Sequence, residues 1–304
     1  MRIGIISDSD SLIPLVYTLA VQKLQVCIYF VPSNDSFINQ KVRAFAKQIN
    51  LAITEERNKD RDLYIWLNKN TFDVSFIIGY KHFIKMDRLH CNTQLFNIHF
   101  SPLPSFRGPT PVFWQLKQGV EKLGLCIHRL SDKFDEGEVV WVKDTMNYEY
   151  FNCKLATQLL SQLCVEGALS IVRLITNGMP VPAIDRSHIK PTCQKRPGLI
   201  DVLINWQEMD AVEICNLIRA CNPWNKGAIT SFKGQEVKLM DALVVKHDRG
   251  EADKAGTVVK CDMDFFVQCR DNRLIKINML FFQDSYIASY QCSSMGFHKG
   301  DCFS

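Results

Sequence analysis

An amide and an imidazole lie two residues apart in the segment FNIHF, at Asn97 and His99. Phe96, Ile98 and Phe100 alternate with them, as in a strand that has one polar face. Side chains two residues apart on a strand point to the same face, so the two polar groups share one. The segment SPLPSFRGPTP follows at once, and its prolines and glycine make the chain turn away. The pattern predicts a cleft at the end of this strand.

A carboxylate follows in the segment KFDEGEVV, where Asp135 stands before Glu136 and Gly137. The segment predicts a tight turn between two apolar strands, from which Asp135 can return to His99. The carboxylate would orient the imidazole and favour its protonated form. The imidazole would accept a proton or steady negative charge, and the Asn97 amide would donate to an oxyanion. These groups suit acyl transfer to a substrate amine, which needs no serine or cysteine nucleophile.

Each of these residues also has a structural interpretation. A histidine on a strand is more often a hydrogen-bonded structural residue than a catalyst, and an aspartate in a turn is usually a turn former. A metal site made of His99, His128 and Asp135 is disfavoured, because their spacing is irregular. The 12 cysteines form no Cys-x-x-Cys pair. Together with the absence of a signal peptide, this predicts free thiols in a reducing cytoplasm.

The composition is that of a globular protein. The 304 residues are enough for two domains, and they are 47% hydrophobic and 22% charged. The net charge of +4 permits an anionic substrate, but no basic cluster typical of a dedicated nucleic-acid binder occurs. No apolar run approaches the roughly 18 residues of a membrane span. We therefore expect no membrane segment.

Strand and helix signals alternate through the first 175 or so residues. This alternation predicts an α/β fold with a doubly wound, mostly parallel, Rossmann-like sheet, whose ligands bind at the carboxyl ends of the strands. The first turn, SDSDS, has no glycine, so NAD or FAD binding there is not expected. We predict a catalytic domain at residues 1–180, a linker at residues 181–203, and a smaller β-barrel-like (OB-like) domain at residues 204–304.

The motifs around the cleft resemble the signature of the 10-formyltetrahydrofolate-dependent formyltransferases. The resemblance rests on Asn97-Ile98-His99, Ser101-Pro102-Leu103-Pro104, Arg107-Gly108, Pro111, Trp114, and Asp135 with Gly137. It extends to DVSFIIGYKHFI at residues 73–84, to INW at residues 204–206, to IRACNPWNKGA at residues 218–228, and to the terminal MGFHKGDCF. In this family the second domain occurs in methionyl-tRNA formyltransferase and in enzymes that act on nucleotide-linked amino sugars.

The resemblance implies roles for the matching positions. Asn97, His99 and Asp135 would be the catalytic trio, where a free amine attacks the formyl carbon of the co-substrate 10-formyltetrahydrofolate. No metal is implied. The residues implied to hold the folate are Ile78, Gly79, Tyr80, Lys81, His82 and Leu130. The residues implied to contact the acceptor are Ser101, Pro102, Arg107, Arg219 and Trp224.

Three of the acceptor residues have simpler explanations that stay open. Arg107 would then bond only loop carbonyls, Arg219 would cap its own helix, and Trp224 would pack in the second domain.

The sequence leaves several candidates for the amine that accepts the formyl group. A nucleotide-linked amino sugar, a precursor of surface polysaccharide, is favoured over methionyl-tRNA. The segment after the second strand, VPSNDSFINQKVRAFAKQIN, is short and lacks the glycine-rich, basic loop of the tRNA enzymes. An amine on a siderophore or peptide precursor is a third candidate. A protein of this fold that binds a ligand without catalysing a reaction is disfavoured, because Asn97, His99 and Asp135 are all present. A homodimer is one assembly that the sequence allows.

Overall fold

The computed structural model describes residues 1–59, 61–90, 93–249 and 254–304. The described chain divides into two compact units. The first unit contains residues 1–111, 124–145 and 157–194, and the second contains residues 112–123, 146–156 and 195–304. The domain boundaries expected near residues 180 and 204 stay a prediction.

Seven strands of the described chain form one sheet, in the order β3-β2-β1-β4-β5-β6-β7. They are β1 (Arg2–Ser7), β2 (Gln25–Phe30), β3 (Ile53–Glu55), β4 (Val74–Ile78), β5 (Gln94–His99), β6 (Lys122–Arg129) and β7 (Val139–Met146). The pairs among β1 to β5 are parallel, and β6 runs antiparallel to β5. The predicted mostly parallel sheet is confirmed. The short strand β3 had no signal in our sequence analysis.

Helices of the described chain connect the strands and continue into the second unit. They are α1 (Ile13–Val21), α2 (Ser36–Gln48), α3 (Asp62–Lys69), α4 (Pro111–Lys117), α5 (Cys153–Thr176), α6 (Leu199–Val202) and α7 (Ala211–Cys221). Among the described helices, α5 is long and apolar enough to cross a membrane by length and composition. Its side chains Ala156, Leu160 and Cys164 are nevertheless buried within the protein, as in a core helix.

The central strands of the sheet are buried on both faces. Ile3, Ile5 and Phe76 are fully inaccessible to solvent, which explains why β1 and β4 have continuous apolar sequences instead of alternating ones. The carboxyl ends of these two strands are tied together, because the Ser7 hydroxyl donates a hydrogen bond to the Ile78 carbonyl at 2.7 Å. The sheet thus holds the loop that follows β4 in a defined position.

The second unit contains an antiparallel sheet of six strands within the described residues. They are β8 (Ala228–Phe232), β9 (Gln235–Arg249), β10 (Val258–Cys261), β11 (Phe265–Gln268), β12 (Arg273–Phe282) and β13 (Ser285–Ala288). The order is β10-β11-β12-β9-β8, with β13 beside β12. Near the chain end, Cys302 pairs with Thr257 and Phe303 pairs with Phe232, so the last residues connect the two edges. This closure makes the unit barrel-like, as predicted.

Candidate active site

Strand β5 carries the amide and the imidazole of the first motif, and β6 adds a second imidazole. In the antiparallel register of β5 and β6, Asn97 lies opposite His128 and His99 lies opposite Cys126. Opposite residues of an antiparallel pair have their side chains on the same face of the sheet. The register therefore places His128 beside the predicted catalytic residues.

His128 fixes the orientation of the Asn97 amide. The Nδ2 atom of Asn97 is 2.9 Å from Nε2 of His128, and Nδ1 of His128 is 2.9 Å from the Arg129 carbonyl oxygen. Because a carbonyl only accepts, Nδ1 carries the hydrogen, and Nε2 accepts one N–H of the amide. The His128 ring is buried, whereas Asn97 is partly buried. The other N–H of the Asn97 amide has no hydrogen-bond partner among the described residues.

His99 is a buried imidazole with one basic nitrogen. Its Nε2 atom is 3.1 Å from the Phe106 carbonyl oxygen, so Nε2 carries the hydrogen and Nδ1 has the lone pair. Nδ1 lies 3.6 Å from Oδ1 of Asp135. Burial is the largest influence and lowers the pKa of His99, although Asp135 and the Phe106 carbonyl favour the charged form. Asp135 raises the pKa of His99, as predicted, but burial lowers this pKa by more and favours the neutral ring.

Asp135 is an ionised carboxylate in a turn. Its φ of +53° is a left-handed conformation that aspartate tolerates better than most residues. Oδ2 accepts a hydrogen bond from the Gly108 amide at 2.8 Å, and Oδ1 lies 3.7 Å from Nε2 of His128. Burial raises the pKa of Asp135, but the Gly108 N–H and the attraction to either imidazole in its charged form together lower it below the usual range. The chain thus brings Asn97, His99 and Asp135 together, as predicted.

The turn that carries Asp135 requires a glycine two residues later. A Cβ atom on Gly137 would lie 1.8 Å from the Arg129 carbonyl oxygen and 3.2 Å from Nδ1 of His128. The Arg129 amide also donates to the Glu138 carbonyl at 2.9 Å, which closes the turn between β6 and β7. The segment DEGE therefore combines the carboxylate that lies near both imidazoles with the glycine that lets the backbone return to β6.

The proline-rich loop after β5 is held from within and from outside. Within it, the Ser101 hydroxyl donates to the Ser105 carbonyl at 2.9 Å. From outside, the Arg107 amide donates to the Thr192 carbonyl at 2.8 Å, and the Gln194 amide donates back to the Arg107 carbonyl at 2.8 Å. Sequence analysis treated residues 181–203 as a linker and missed this contact, because no periodic pattern marks it.

Gly108 and Pro102 show how closely this loop is packed. A Cβ atom on Gly108 would lie 2.2 Å from the Gln194 carbonyl oxygen, and the φ of Gly108 is +99°. On the other side, the Pro102 ring would be 2.7 Å from a Cβ atom on Gly124. These approaches fix the position of the Gly108 amide that binds Asp135.

The residues predicted to hold folate follow β4. Ile78 is buried at the end of the strand, and Gly79 has a φ of +66°. A Cβ atom on Gly79 would lie 2.8 Å from Oδ1 of Asp8, so this position favours glycine. The chain then exposes Lys81, whereas His82 is half-buried. Their binding role stays a prediction.

Tyr80 and Leu130 meet on the apolar cluster beneath this loop. Both pack against a cluster that includes Ile77, Ile84 and Leu95. The Tyr80 hydroxyl donates to the Glu56 carboxylate at 3.0 Å, and the Leu130 amide donates to the Leu95 carbonyl at 3.0 Å. The structure thus brings together two of the predicted folate contacts from separate parts of the sequence.

Two aromatic residues that sequence analysis did not select lie at the same edge. The rings of Phe83 and Phe134 are 4.9 Å apart at an angle of 61°. Phe134 is 62% exposed, although it directly precedes Asp135. In the sequence, the position of Phe134 directly before Asp135 is a weak signal for a role at this edge. The pair joins the loop after β4 to the turn that carries Asp135, and it offers a flat apolar surface.

Arg219 and Trp224 lie in the second unit and have internal partners. Arg219 donates to the Asn147 side-chain oxygen at 2.7 Å and to the Tyr148 carbonyl at 3.1 Å. The Trp224 indole donates to the Ala220 carbonyl at 2.8 Å, and the residue is 52% exposed. Arg219 thus holds the segment before α5, and its contact with a substrate stays a prediction, as does that of Trp224.

The described residues contain no group of three or more His, Cys, Asp or Glu side chains arranged to hold a metal ion.

Comparison with known proteins identifies the family. The model of the formyl transferase family matches residues 3–147, and the model of the formyl transferase C-terminal domain matches residues 200–290. The chain belongs to the formyl transferase family. This confirms the predicted family and the predicted class of enzyme.

Proteins similar to this formyl transferase include two groups of formyltransferases. The methionyl-tRNA formyltransferase of Pelotomaculum thermopropionicum is 27% identical over 228 residues, which are 74% of this chain and 71% of that protein. The methionyl-tRNA formyltransferase of Polynucleobacter asymbioticus is also 27% identical, over 71% of this chain and 67% of that protein.

Solved structures supply the second group. The crystal structure of WlaRD, a sugar 3N-formyl transferase in the presence of dTDP and 5-N-formyl-THF, matches with a TM-score of 0.73 and 17% identity over 91% of this chain and 97% of that chain. The N-formyltransferase from Helicobacter canadensis, in complex with folinic acid and dTDP-3-aminofucose, matches with a TM-score of 0.70 and 14% identity over 91% and 98%. At these identities the likeness shows the fold.

Proposed function

We propose that this formyl transferase moves the formyl group of 10-formyltetrahydrofolate to a primary amine on a nucleotide-linked amino sugar. The observation that carries the chemistry is the position of the buried His99 imidazole, whose Nε2 lies 3.1 Å from the Phe106 carbonyl oxygen and whose Nδ1 lies 3.6 Å from Oδ1 of Asp135. A neutral imidazole accepts a proton, and the adjacent carboxylate then stabilises the imidazolium. The unused N–H of Asn97 supplies a donor for an oxyanion.

The reaction follows from these three groups. The amine nitrogen attacks the formyl carbon, and the formyl oxygen becomes an oxyanion that accepts the free N–H of Asn97. Nδ1 of His99 takes a proton from the amine, and the resulting imidazolium faces Asp135. When the intermediate collapses, the bond from carbon to N10 of the folate breaks, and N10 takes the proton from His99. The products are an N-formyl amine and tetrahydrofolate.

We place the pterin against the loop after β4 and the turn before Asp135. The supporting contacts are the apolar cluster beneath Tyr80 and Leu130 and the Phe83–Phe134 ring pair. Backbone groups of residues 78–82 supply hydrogen-bonding donors and acceptors beside this apolar surface. A flat heterocycle with polar edges suits such a surface.

The short connection between β2 and α2 supports the sugar acceptor. β2 ends at Phe30 and α2 begins at Ser36, so five residues connect them. Asp35 caps α2 by accepting from the Phe37 and Ile38 amides, and Lys41 is paired with Asp10 at 2.6 Å. This connection presents no basic loop to an acceptor stem. Solved sugar N-formyltransferases share the fold over nine tenths of this chain, so the fold is compatible with such an acceptor.

Methionyl-tRNA is the second candidate acceptor. Methionyl-tRNA formyltransferases are 27% identical to this chain over the aligned 67–71% of their own length. A siderophore or peptide amine is a third candidate, which no observation favours. We place the reaction in the cytoplasm. The assembly into a homodimer also stays a prediction, which sedimentation analysis tests.

The test is release of tetrahydrofolate from 10-formyltetrahydrofolate with a panel of acceptors. The panel contains nucleotide-linked 3-amino and 4-amino deoxysugars and charged methionyl-tRNA. We expect turnover of a sugar nucleotide and its loss in His99→Ala. The His90→Ala variant is the matched control, because His90 is exposed and precedes the first residue of β5, whereas His99 is the last residue of that strand. Turnover of methionyl-tRNA alone would overturn the amino sugar as acceptor and leave the proposed formyl-transfer reaction in place. A fully active His99→Ala variant would overturn the chemistry.

A further inference from the structure

A cleft beside Asp135 in the first unit has no role in the chemistry proposed so far. Its volume is about 280 Å³, and its wall comes from residues 103–107, 135–139 and 184–191. Pockets that enclose a whole drug-sized ligand have volumes of about 300–1,000 Å³. The cleft is therefore the size for one part of a larger substrate. Leu103, Val139 and Ile184 give it apolar surface, and its charged lining residues include two arginines.

Arg186 lines this cleft with a charge that has no counter-ion. Its Nη2 atom donates to the Pro102 carbonyl oxygen at 3.3 Å. Its guanidinium forms no ion pair within 4.0 Å among the described residues, and its Nε atom is buried without a hydrogen-bond partner among them. A guanidinium has five N–H donors, and a half-buried one with a single long hydrogen bond is poorly compensated. Such a group favours an anionic ligand.

Arg107 adds a second, partly compensated guanidinium. Its Nη1 atom is 3.2 Å from Oε1 of Glu136, a side chain that is 40% exposed and is also 3.8 Å from Lys133. Its Nε atom is buried without a partner. The carboxylate of Asp135 also lines the cleft, but the Gly108 amide already binds one of its oxygens. Among the residues that line the cleft, two guanidinium groups stand against the one carboxylate of Asp135, so positive charge exceeds negative charge by one.

We propose that this cleft binds an oxyanion carried by one of the two substrates, with Arg186 as its main ligand and Arg107 as the second. The proposal rests on the proposed function, which supplies two sources of the same chemistry. One is the carboxylate of the glutamate tail of the folate, and the other is the diphosphate of the acceptor nucleotide. Guanidinium groups bind either group through two parallel hydrogen bonds, and the apolar wall covers adjacent carbon atoms.

The test measures binding to the full-length protein by calorimetry, without turnover. The probes are tetrahydrofolate, tetrahydropteroate (which lacks the glutamate), inorganic pyrophosphate, and uridine and thymidine diphosphates with their nucleosides. The variants are Arg186→Gln and Arg186→Lys. Arg173→Gln is the matched control, because Arg173 is an exposed arginine in the last turn of α5. We expect Arg186→Gln to weaken one anionic probe by roughly 10- to 150-fold, as loss of a charge-assisted hydrogen bond does.

Each outcome has one interpretation. If Arg186→Gln loses affinity for tetrahydrofolate but not for tetrahydropteroate, the cleft binds the glutamate carboxylate. A loss for pyrophosphate and the nucleoside diphosphates, but not for the nucleosides, assigns it to the diphosphate. Equal affinities of Arg186→Gln and wild type for every probe overturn the proposal. If Arg186→Gln is too unstable for binding to be measured, Arg186→Lys is compared with wild type instead. We expect Arg186→Lys to lose less affinity for the same probe, and an unchanged affinity overturns the proposal.

The assay also separates this proposal from the proposed function. If the protein turns over an acceptor and the Arg186 variants bind every anionic probe as tightly as wild type, the anion-binding role of the cleft is refuted and the proposed function stands. Anion binding that depends on Arg186, in a protein that turns over no acceptor, would refute the proposed function alone.

Discussion

Replacing Asp135 by asparagine removes the charge that faces the base and preserves most of the local geometry. The asparagine side chain has the same shape and retains an oxygen that accepts from the Gly108 amide, now 2.8 Å from Oδ2. Asparagine also tolerates the φ of +53° at this position. The substitution therefore tests the carboxylate charge, with little change to the turn.

The size of the effect follows from the distance between the two groups. Nδ1 of His99 and Oδ1 of Asp135 are 3.6 Å apart, and both side chains are about nine-tenths buried. At an effective dielectric constant of about 20, an imidazolium and a carboxylate at this distance attract by roughly 4–5 kcal/mol. That attraction exists only after His99 has taken the proton. Its loss should lower kcat by about three powers of ten.

The pH dependence gives a second, independent readout. Burial lowers the pKa of His99, and Asp135 opposes that shift. In the wild type, kcat at saturating substrates should be level above the ordinary histidine pKa of 6.5 and should fall when the pH drops through the lower pKa of the folded protein. Without the carboxylate the pKa of His99 falls further. The acid limb of Asp135→Asn should therefore move to lower pH.

The assay is release of tetrahydrofolate from pH 4.5 to 8.5 with both substrates saturating. Glu136→Gln is the control, because this neighbouring carboxylate is 40% exposed and binds Arg107. Its kcat should stay within about fivefold of wild type, the range of a surface ion pair. If Asp135→Asn retains kcat within tenfold of wild type, or if its acid limb moves to higher pH, then Asp135 does not stabilise an imidazolium at His99.

Two further predictions follow from the geometry. His128→Leu leaves the partly buried Asn97 amide without its acceptor, and because full burial would cost about 1–3 kcal/mol, kcat should fall by up to roughly 100-fold. His128→Gln, which keeps an acceptor, should retain more activity, and equal kcat values of the two variants would count against the role of His128. Gly137→Ala should lose about 1–3 kcal/mol of unfolding free energy in urea titration, because the new Cβ would meet the Arg129 carbonyl. Gly198→Ala, where the Cβ makes an ordinary contact at 3.8 Å, should melt like wild type, and equal midpoints of the two variants would refute the steric argument.

Much of the fold could be predicted from local patterns. The alternation of apolar strands and amphipathic helices predicted the mostly parallel sheet because each element buries a face that its own sequence defines. The three-residue strand β3 escaped prediction, since so short an element has no period. The turn at Asp135 was predictable because aspartate and glycine stand together between two apolar runs.

The surroundings of the site depended on contacts between distant residues. His128 was considered only as a metal ligand, and its bond to Asn97 follows from the antiparallel register of β5 and β6. The loop after β5 is held by residues 192–194, from a segment whose sequence has no periodic pattern. Pairings of this kind are set by which backbone groups find partners in three dimensions, and a local pattern does not encode them.

The sequence by itself determined which chemical groups share the site, since an amide, an imidazole and a carboxylate have fixed types and spacings along the chain. Only the tertiary structure decided the state in which they work. Whether His99 is neutral or charged depends on how much water and how much charge surround it, and burial outweighs the nearby carboxylate. Desolvation is a property of the folded surroundings as a whole, so no single segment of the sequence can carry it.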